Sequence, residues 1–136
     1  TAYNSLITTY HIKKVKKDYI PTYNVASTQK TEDYLWLLSC GEIWDNGYNG
    51  GVTRGDAITT EGKQYKYYKM NLGSISYSTS NNITKKPSAS DFYVNVWWLR
   101  SPYCYNVCHF CYVSSSGICS ATLPGPYPGV APGFSI

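Results

Sequence analysis

The chain has 136 residues, of which 43% are hydrophobic and 15% charged, a size and composition that fit one folded domain and exclude a disordered tail. The net charge of +4 is modest for a nucleic-acid-binding protein. No stretch reaches the roughly 20 apolar residues of a membrane-spanning helix. We therefore expect a single domain over residues 1–136, whether complete or the C-terminal part of a longer protein, that binds no nucleic acid and inserts into no membrane.

The first two elements are predicted from a lysine cluster and an apolar run. Residues 11–20 place four lysines around Val15, which is typical of an edge strand protected by lysines or of a solvated helix face. Pro21 should end this element. The continuous apolar run Tyr34–Leu38 indicates a short strand buried on both faces.

Two helices are predicted next in the chain. Ser39 and Glu42 stand at capping-box spacing, which predicts a helical turn just after Ser39. Helix capping and surface solvation account for Glu42 and the neighbouring carboxylates. The second helix is predicted over Asp56–Leu72, because its apolar residues can share a face and Gly73 suits the position after its end. Gly62 weakens that helix by about 1 kcal/mol relative to Ala.

The C-terminal part of the chain is predicted to be rich in strands. Residues 92–100 form a strand with two tryptophans as core anchors. Residues 110–113, 114–117 and 118 onward indicate a strand, a turn and a second strand, and residues 134–136 close the sheet. The fold class is therefore α+β, with helices early and a hairpin-rich end.

Charge and aromatic residues are distributed unusually. Tyr occurs 15 times and Trp 4 times, beside many Ser, Asn and Gly, a mixture found in antibody paratopes and also in ordinary tyrosine-rich β proteins. Every Lys, Arg, Asp and Glu lies at or before Arg100, whereas residues 101–136 hold four of the five cysteines. A segment without charge is either buried or reserved for contact with another molecule.

The cysteines do not predict a metal site. Cys104, Cys108 and Cys111 with His109 resemble a zinc-binding set, but the spacing is poor and a second CxxC pair is missing. Five cysteines cannot all pair with one another, although one disulfide among the four late cysteines stays open. We expect thiols on a variable surface, with no metal and no cofactor.

Nucleophilic catalysis is not expected either. A Cys/His pair would have to be built from Cys108 or Cys111 with His109. Neighbouring residues on a strand point to opposite faces, which separates Cys108 from His109. No carboxylate follows Asp91 in the sequence to orient the imidazole. The sequence therefore predicts no catalytic residue and a protein that is not an enzyme.

Three segments together resemble the DUF6273 family: Tyr34–Trp44, the WWLRSP hexapeptide Trp97–Pro102, and Tyr112–Gly117 followed by Gly129–Pro132. The resemblance covers about residues 34–136 and implies a C-type-lectin-like fold, similar to formylglycine-generating enzymes, with an antiparallel sheet, two helices and much loop. The family usually carries Arg where this chain has Ala131. That departure removes the guanidinium from any buried ion pair that the Arg would make.

One subset of such proteins resembles this C-terminus more specifically. These are the variable proteins of diversity-generating retroelements, in which template adenines are copied with errors and Asn codons scatter into many residue types. Residues 101–136 contain no Lys, Glu, Gln, Met or Trp, the residues that such codons cannot yield. The resemblance implies a variable ligand-binding region over residues 101–130.

The function implied is a ligand-binding module, for receptor recognition or adhesion, with a hypervariable surface. We expect it to be extracellular, on a virion tail or a bacterial cell surface, and to bind a protein or glycan ligand on a cell surface; the oligomeric state stays open. The ligand-binding residues expected from the resemblance are Tyr103, Cys104, Tyr105, Asn106, Val107, Cys108, His109, Cys111, Ser114, Ser116, Cys119, Ser120, Ala121, Thr122 and Tyr127.

Two alternatives stay open. The first is an oxidase of the formylglycine-generating type, whose chemistry uses a redox cysteine pair and, in aerobic forms, copper; cysteines between Cys104 and Cys119 could mimic that pair. The second is a structural domain of a cell-surface protein that has no variable site.

Overall fold

The computed structural model describes residues 11–21, 27–44, 61–72, 96–103, 108–115, 117–125 and 128–136. Within these ranges the chain forms three small antiparallel sheets and two short helices joined by much loop, which confirms the α+β class. The elements in chain order are β1 Val15–Tyr19, β2 Gln29–Asp33, β3 Trp36–Leu37, α1 Cys40–Ile43, α2 Lys66–Leu72, β4 Trp97–Pro102, β5 Phe110–Val113, β6 Cys119–Thr122 and β7 Pro132–Gly133.

Strand β1 contains two of the four clustered lysines, Lys16 and Lys17. It pairs with β2 from Val15 opposite Asp33 to Tyr19 opposite Gln29. Of the two readings of this segment, the strand is the one observed. The two lysines of β1 differ in burial. Lys16 is exposed, whereas Lys17 keeps only 9% of its surface exposed. Lys17 is therefore not one of the solvated lysines that protect a strand edge.

The apolar run forms a shorter strand than predicted. Only Trp36 and Leu37 are in β3, and both are half-buried, so burial on both faces is not observed. Strand β3 has a single partner, β7, with Trp36 opposite Gly133. A Cβ atom on Gly133 would lie 2.9 Å from the indole nitrogen of Trp36, so the absence of a side chain lets the two strands approach. The closing strand is thus β7, just before the predicted residues 134–136, and Ser135 adds a single bridge to Lys13.

The two helices differ in how well the sequence predicts them. Helix α1 begins at the predicted capping box: the Glu42 N–H donates to Ser39 Oγ at 3.1 Å, and the Ser39 N–H donates to Glu42 Oε2 at 3.0 Å. Helix α2 begins only at Lys66, and residues 61–65 are not helical. Gly62 has a φ of +120°, which a helix cannot contain. The predicted residues 56–60 lie outside the described part of the chain.

The core lies between α1 and the inner face of the sheet β4–β5–β6. Its members from the sheet include the fully buried Trp97, Leu99 and Val113, and Ile43 comes from α1.

The predicted hairpin is observed, with β5 and β6 paired from Phe110 opposite Thr122 to Val113 opposite Cys119. The part of the predicted strand 92–100 that precedes residue 96 lies outside the described residues. No helix in the described ranges has the length and apolarity to span a membrane.

Candidate ligand-binding surface and its support

The sheet β4–β5–β6 has one face in the core and one face turned outward. In an antiparallel sheet, residues directly opposite each other share a face, and the faces alternate along each strand. Trp98 is opposite Tyr112, and Tyr112 is opposite Ser120. Two residues away on the same face, Phe110 is opposite Thr122. We call these five residues the outer face.

The outer face is uncharged and partly solvent-exposed. Phe110 has 38% of its surface exposed, and the other four residues are half-buried. The Trp98 and Tyr112 rings meet edge to face, with centroids 6.1 Å apart. Aromatic rings beside hydroxyl groups can supply apolar contact area and hydrogen bonds in one patch.

Tyr103 and His109 lie just beyond the paired ends of β4 and β5. Their rings lie 5.8 Å apart at an angle of 31°, and the Tyr103 N–H donates to the His109 carbonyl at 3.0 Å. Both residues are half-buried, and Cys108 beside them is exposed. The backbone pairing therefore holds two predicted ligand-binding side chains together at this end of the sheet.

An open cleft adjoins Phe110. It runs between β1 and β3 and combines apolar surface with charged groups of both signs, including the carboxylate of Asp33. Its lining includes Tyr19, Ile20, Trp36, Lys17 and Arg100.

The predicted ligand-binding residues are placed as follows. Tyr103, Cys108, His109, Ser114, Ser120, Ala121 and Thr122 are exposed or half-buried. Ser114 also has a structural contact, since its Oγ accepts a hydrogen bond from the Ile118 N–H at 3.1 Å. Six further predicted residues lie beyond the described part of the chain: Cys104, Tyr105, Asn106, Val107, Ser116 and Tyr127.

Cys111 and Cys119 are not on the surface. Cys111 has no exposed surface and Cys119 has 3%, so their prediction as surface ligand-binding residues is wrong. Their strand positions explain this: Cys111 and Cys119 alternate with the outer-face residues Phe110, Tyr112 and Ser120, and therefore point into the core. Ala121, opposite Cys111, belongs to the same inner face.

Sequence reasoning missed three residues of the outer face: Trp98, Phe110 and Tyr112. Alternation along β5 could have identified them, because Phe110 and Tyr112 flank a buried cysteine. Trp98 was expected to be a core anchor, but of the tryptophan pair only Trp97 is buried.

A buried polar network ties this sheet to the remainder of the fold. The Arg100 guanidinium on β4 forms an ion pair with Glu42 Oε2 at 2.7 Å. It also donates to the carbonyls of Asp18 at 2.9 Å, Leu37 at 2.7 Å and Glu61 at 2.5 Å. One side chain thus connects β4 with β1, β3, α1 and the segment before α2.

Glu42 receives a second cation from β1. Lys17 Nζ lies 2.8 Å from Glu42 Oε1 and 4.3 Å from the centroid of the Trp36 ring, and it also donates to Tyr65 Oη. Burial by itself raises the pKa of the Glu42 carboxyl, but the contacts with Arg100, Lys17 and the Ser39 N–H outweigh burial and lower that pKa. Glu42 therefore has the predicted capping role, but it is a buried anion and surface solvation does not apply to it.

Glu61 is the second buried carboxyl of the network. It accepts a hydrogen bond from the Ile20 N–H at 3.0 Å and one from the Ser101 hydroxyl. Burial raises the pKa of Glu61 to about 7, although both hydrogen bonds favour the ionised form. Ser101 Oγ in turn accepts from the Cys40 N–H at 2.9 Å, which links the network to the core.

Replacing Gly62 by Ala should destabilise the fold by about 1–3 kcal/mol. Gly62 has a φ of +120°, and an added Cβ would lie 3.1 Å from Glu42 Cγ, so the backbone and the ion-paired carboxylate would both be strained. Urea unfolding measures the change, with Gly125→Ala as the control, because a Cβ there meets no atom closer than 3.8 Å. Equal stability of the two variants would contradict the prediction.

One group of possible metal ligands is present in the described ranges: Cys40, Cys111 and Cys119. It differs from the zinc set considered from the sequence, since Cys108 is exposed while Cys111 is buried. Burial of the Cys40 thiol opposes its ionisation, but hydrogen bonds with the other two thiols and with Ser101, together with the Arg100 charge, lower its pKa.

The family model for the Domain of unknown function (DUF6273) matches residues 3–136. The chain therefore belongs to this family, as its three sequence segments predicted. No curated protein and no solved structure matches the chain.

Proposed function

We propose that this protein is a non-enzymatic ligand-binding module. The contact surface comprises the outer face and the predicted positions from Tyr103 to Tyr127 that lie outside the core. The observation that carries the proposal is the division of the sheet: its inner side packs with α1 in the core, while its outer side presents the rings and hydroxyls of the five uncharged residues of the outer face.

The chemistry of this surface suits a protein or glycan on a cell surface. Rigid aromatic rings give a large contact area and lose little conformational entropy on binding. In protein interfaces such rings commonly contribute most of the binding energy. The hydroxyls of Ser120 and Thr122 can donate and accept hydrogen bonds, as recognition of sugar hydroxyls or peptide groups requires.

The polar network beside the sheet is compatible with changes in the residues of the outer face. Arg100, Lys17 and Glu42 join β4 to β1 and α1. None of the three is among the five residues of the outer face. Substitution of outward side chains can therefore leave these contacts intact. We propose a C-type-lectin-like scaffold in which errors of a diversity-generating retroelement change residues 101–130, displayed on a virion tail or a bacterial surface.

The retroelement origin is tested by the neighbouring DNA. A reverse transcriptase gene, together with a template repeat whose adenines fall at codons 103–122, would support it. A neighbourhood without both would favour a structural domain of a cell-surface protein.

Burial weighs against the oxidase alternative. An oxidase of the formylglycine-generating type needs thiols that reach a substrate, so the enclosed Cys111 and Cys119 do not suit its redox pair, whereas Cys108 is exposed.

Binding is tested with a printed glycan array and a panel of intact bacterial cells as probes. Replacing Tyr103, Tyr105 and Tyr127 together by Ala should reduce binding to any positive probe by about 100-fold or more, since a single interface hot spot contributes about 2 kcal/mol or more. The melting temperature should change little.

The matched control is Tyr67→Ala, because Tyr67 is a tyrosine on α2 with 55% of its surface exposed. It should bind as the unchanged protein does. Unfolding of the triple variant would show that those tyrosines belong to the core and would overturn the proposal. So would binding that the triple variant retains, or the absence of binding to any probe.

A further inference from the structure

Three buried thiols meet beneath the outer face. Cys40 opens α1, Cys111 lies on β5 and Cys119 lies on β6. Their exposed fractions are 0%, 0% and 3%, none of them forms a disulfide, and their sulfur atoms all lie within 4.8 Å of one another.

The spacing of the sulfur atoms is close to that around one metal ion. With metal–sulfur bonds of about 2.3 Å, two thiolates in a tetrahedral or trigonal site are separated by about 3.8–4.0 Å. The Cys40 and Cys119 sulfur atoms are 3.6 Å apart. Small movements of side chains would therefore bring all three sulfur atoms to bonding distance from a common centre.

We propose that Cys40, Cys111 and Cys119 form a structural site for one thiophilic d10 metal ion, Zn²⁺ or Cu⁺. Thiolate sulfur is the ligand that both ions prefer in proteins. The burial of all three sulfur atoms would exclude competing oxygen ligands, which suits a trigonal Cu⁺ site; Zn²⁺ would need a fourth ligand besides the three thiolates. This site does not depend on the proposed ligand-binding function.

Binding requires the thiols to lose their protons. Each sulfur that coordinates as a thiolate releases one proton to solvent, including the thiol proton that Cys111 now directs at the Pro102 carbonyl at an S···O distance of 3.7 Å. Three thiolates with Zn²⁺ carry a net charge of −1, and with Cu⁺ a net charge of −2. The Arg100 guanidinium acts electrostatically on Cys40 and would offset part of this charge.

The ion would join elements that are distant in the sequence. Cys40 and Cys119 are separated by 79 positions, and the ion would fasten α1 directly to the β5–β6 hairpin. Metal binding to a site assembled only in the folded state stabilises that state. The bound ion would rigidify the sheet β4–β5–β6, whose other side forms the outer face.

The site is tested on the reduced, metal-free chain in two titrations, one with Zn²⁺ against a chromophoric zinc chelator and one with Cu⁺ under anaerobic conditions against a Cu⁺ chelator. The expected result is one equivalent of at least one of these ions bound per chain and a higher melting temperature. Cd²⁺ should produce the thiolate charge-transfer absorption expected of three sulfur ligands.

Cys111→Val keeps an apolar side chain of similar size, so the loss of a ligand is separated from the loss of packing. It should weaken binding by at least about 100-fold, since substitutions even beyond the ligands cost about 10–100-fold, and Cys119→Ala should do the same. Cys108→Ala, an exposed cysteine outside the cluster, should bind normally. The proposal would be overturned if the chain bound neither Zn²⁺ nor Cu⁺, or if Cys111→Val bound the ion as tightly as the unchanged chain.

Discussion

Replacing Arg100 by Met should lower the free energy of unfolding by about 3–5 kcal/mol, the typical cost of removing one partner from a buried ion pair. Arg100 bonds to the Glu42 carboxylate and to three backbone carbonyls, and its side chain is only 11% exposed. The variant would leave the Glu42 Oε2 charge without its guanidinium and remove hydrogen bonds from all three carbonyls.

The control is Lys16→Met, which removes one positive charge from an exposed position on β1. It should change stability by less than about 0.5 kcal/mol. Urea unfolding of the two variants makes the comparison. A loss below about 1 kcal/mol for Arg100→Met would show that the network contributes little to the fold.

Stability should fall as the pH rises from about 4.5 to about 7, by up to about 3 kcal/mol, because of Glu61. The pKa of this carboxyl is raised from 4.5 to about 7 in the folded protein. In that interval the folded state keeps a proton that the unfolded state has lost, so the contribution is complete below pH 4.5 and is lost through pH 7. Glu42 acts in the opposite sense because its pKa is lowered in the folded protein. Its contribution to stability is present above the ordinary pKa of a glutamate and is lost as the pH falls below that pKa.

Urea titrations at pH 5 and pH 8 measure this dependence. Glu61→Gln cannot titrate and should remove most of the difference between the two pH values. Glu32→Gln alters an exposed carboxylate on β2 and should leave the difference unchanged. A Glu61→Gln protein with the same pH dependence as the unchanged chain would contradict the assignment.

Local features of this fold could be predicted from the sequence. The capping box of Ser39 and Glu42 depends on residues three positions apart, and both of its hydrogen bonds are observed. The β5–β6 hairpin likewise depends on two neighbouring strands and a short turn. Such elements are specified by interactions within a few residues, which sequence patterns record directly.

The second helix shows where a local pattern misleads. Apolar spacing and a following glycine suggested a helix from residue 56 to residue 72. Gly62 instead adopts a φ of +120° and brings the backbone against the Glu42 side chain. The conformation at this position is set by a tertiary contact that the spacing of nearby residues does not contain.

The polar network and the thiol cluster could not be predicted for the same reason. Arg100 and Glu42 are 58 positions apart, and Cys40 and Cys119 are 79 positions apart. Each group taken alone has the properties of a surface charge or an isolated thiol. Only the folded chain brings them into contact, and it thereby turns two predicted surface cysteines into core residues.

If the predicted ligand-binding residues can vary while the core holds the fold, two sequence libraries of equal size should differ in the fraction of clones that fold. Resistance to protease on a display system measures that fraction. The first randomises six positions of the predicted ligand-binding set: Tyr103, Cys104, Tyr105, Asn106, Cys108 and Thr122. The second randomises six inner positions: Ile43, Trp97, Leu99, Cys111, Val113 and Cys119. We expect most members of the first library and few of the second to stay folded. Equal fractions of resistant clones in both libraries would contradict the claim.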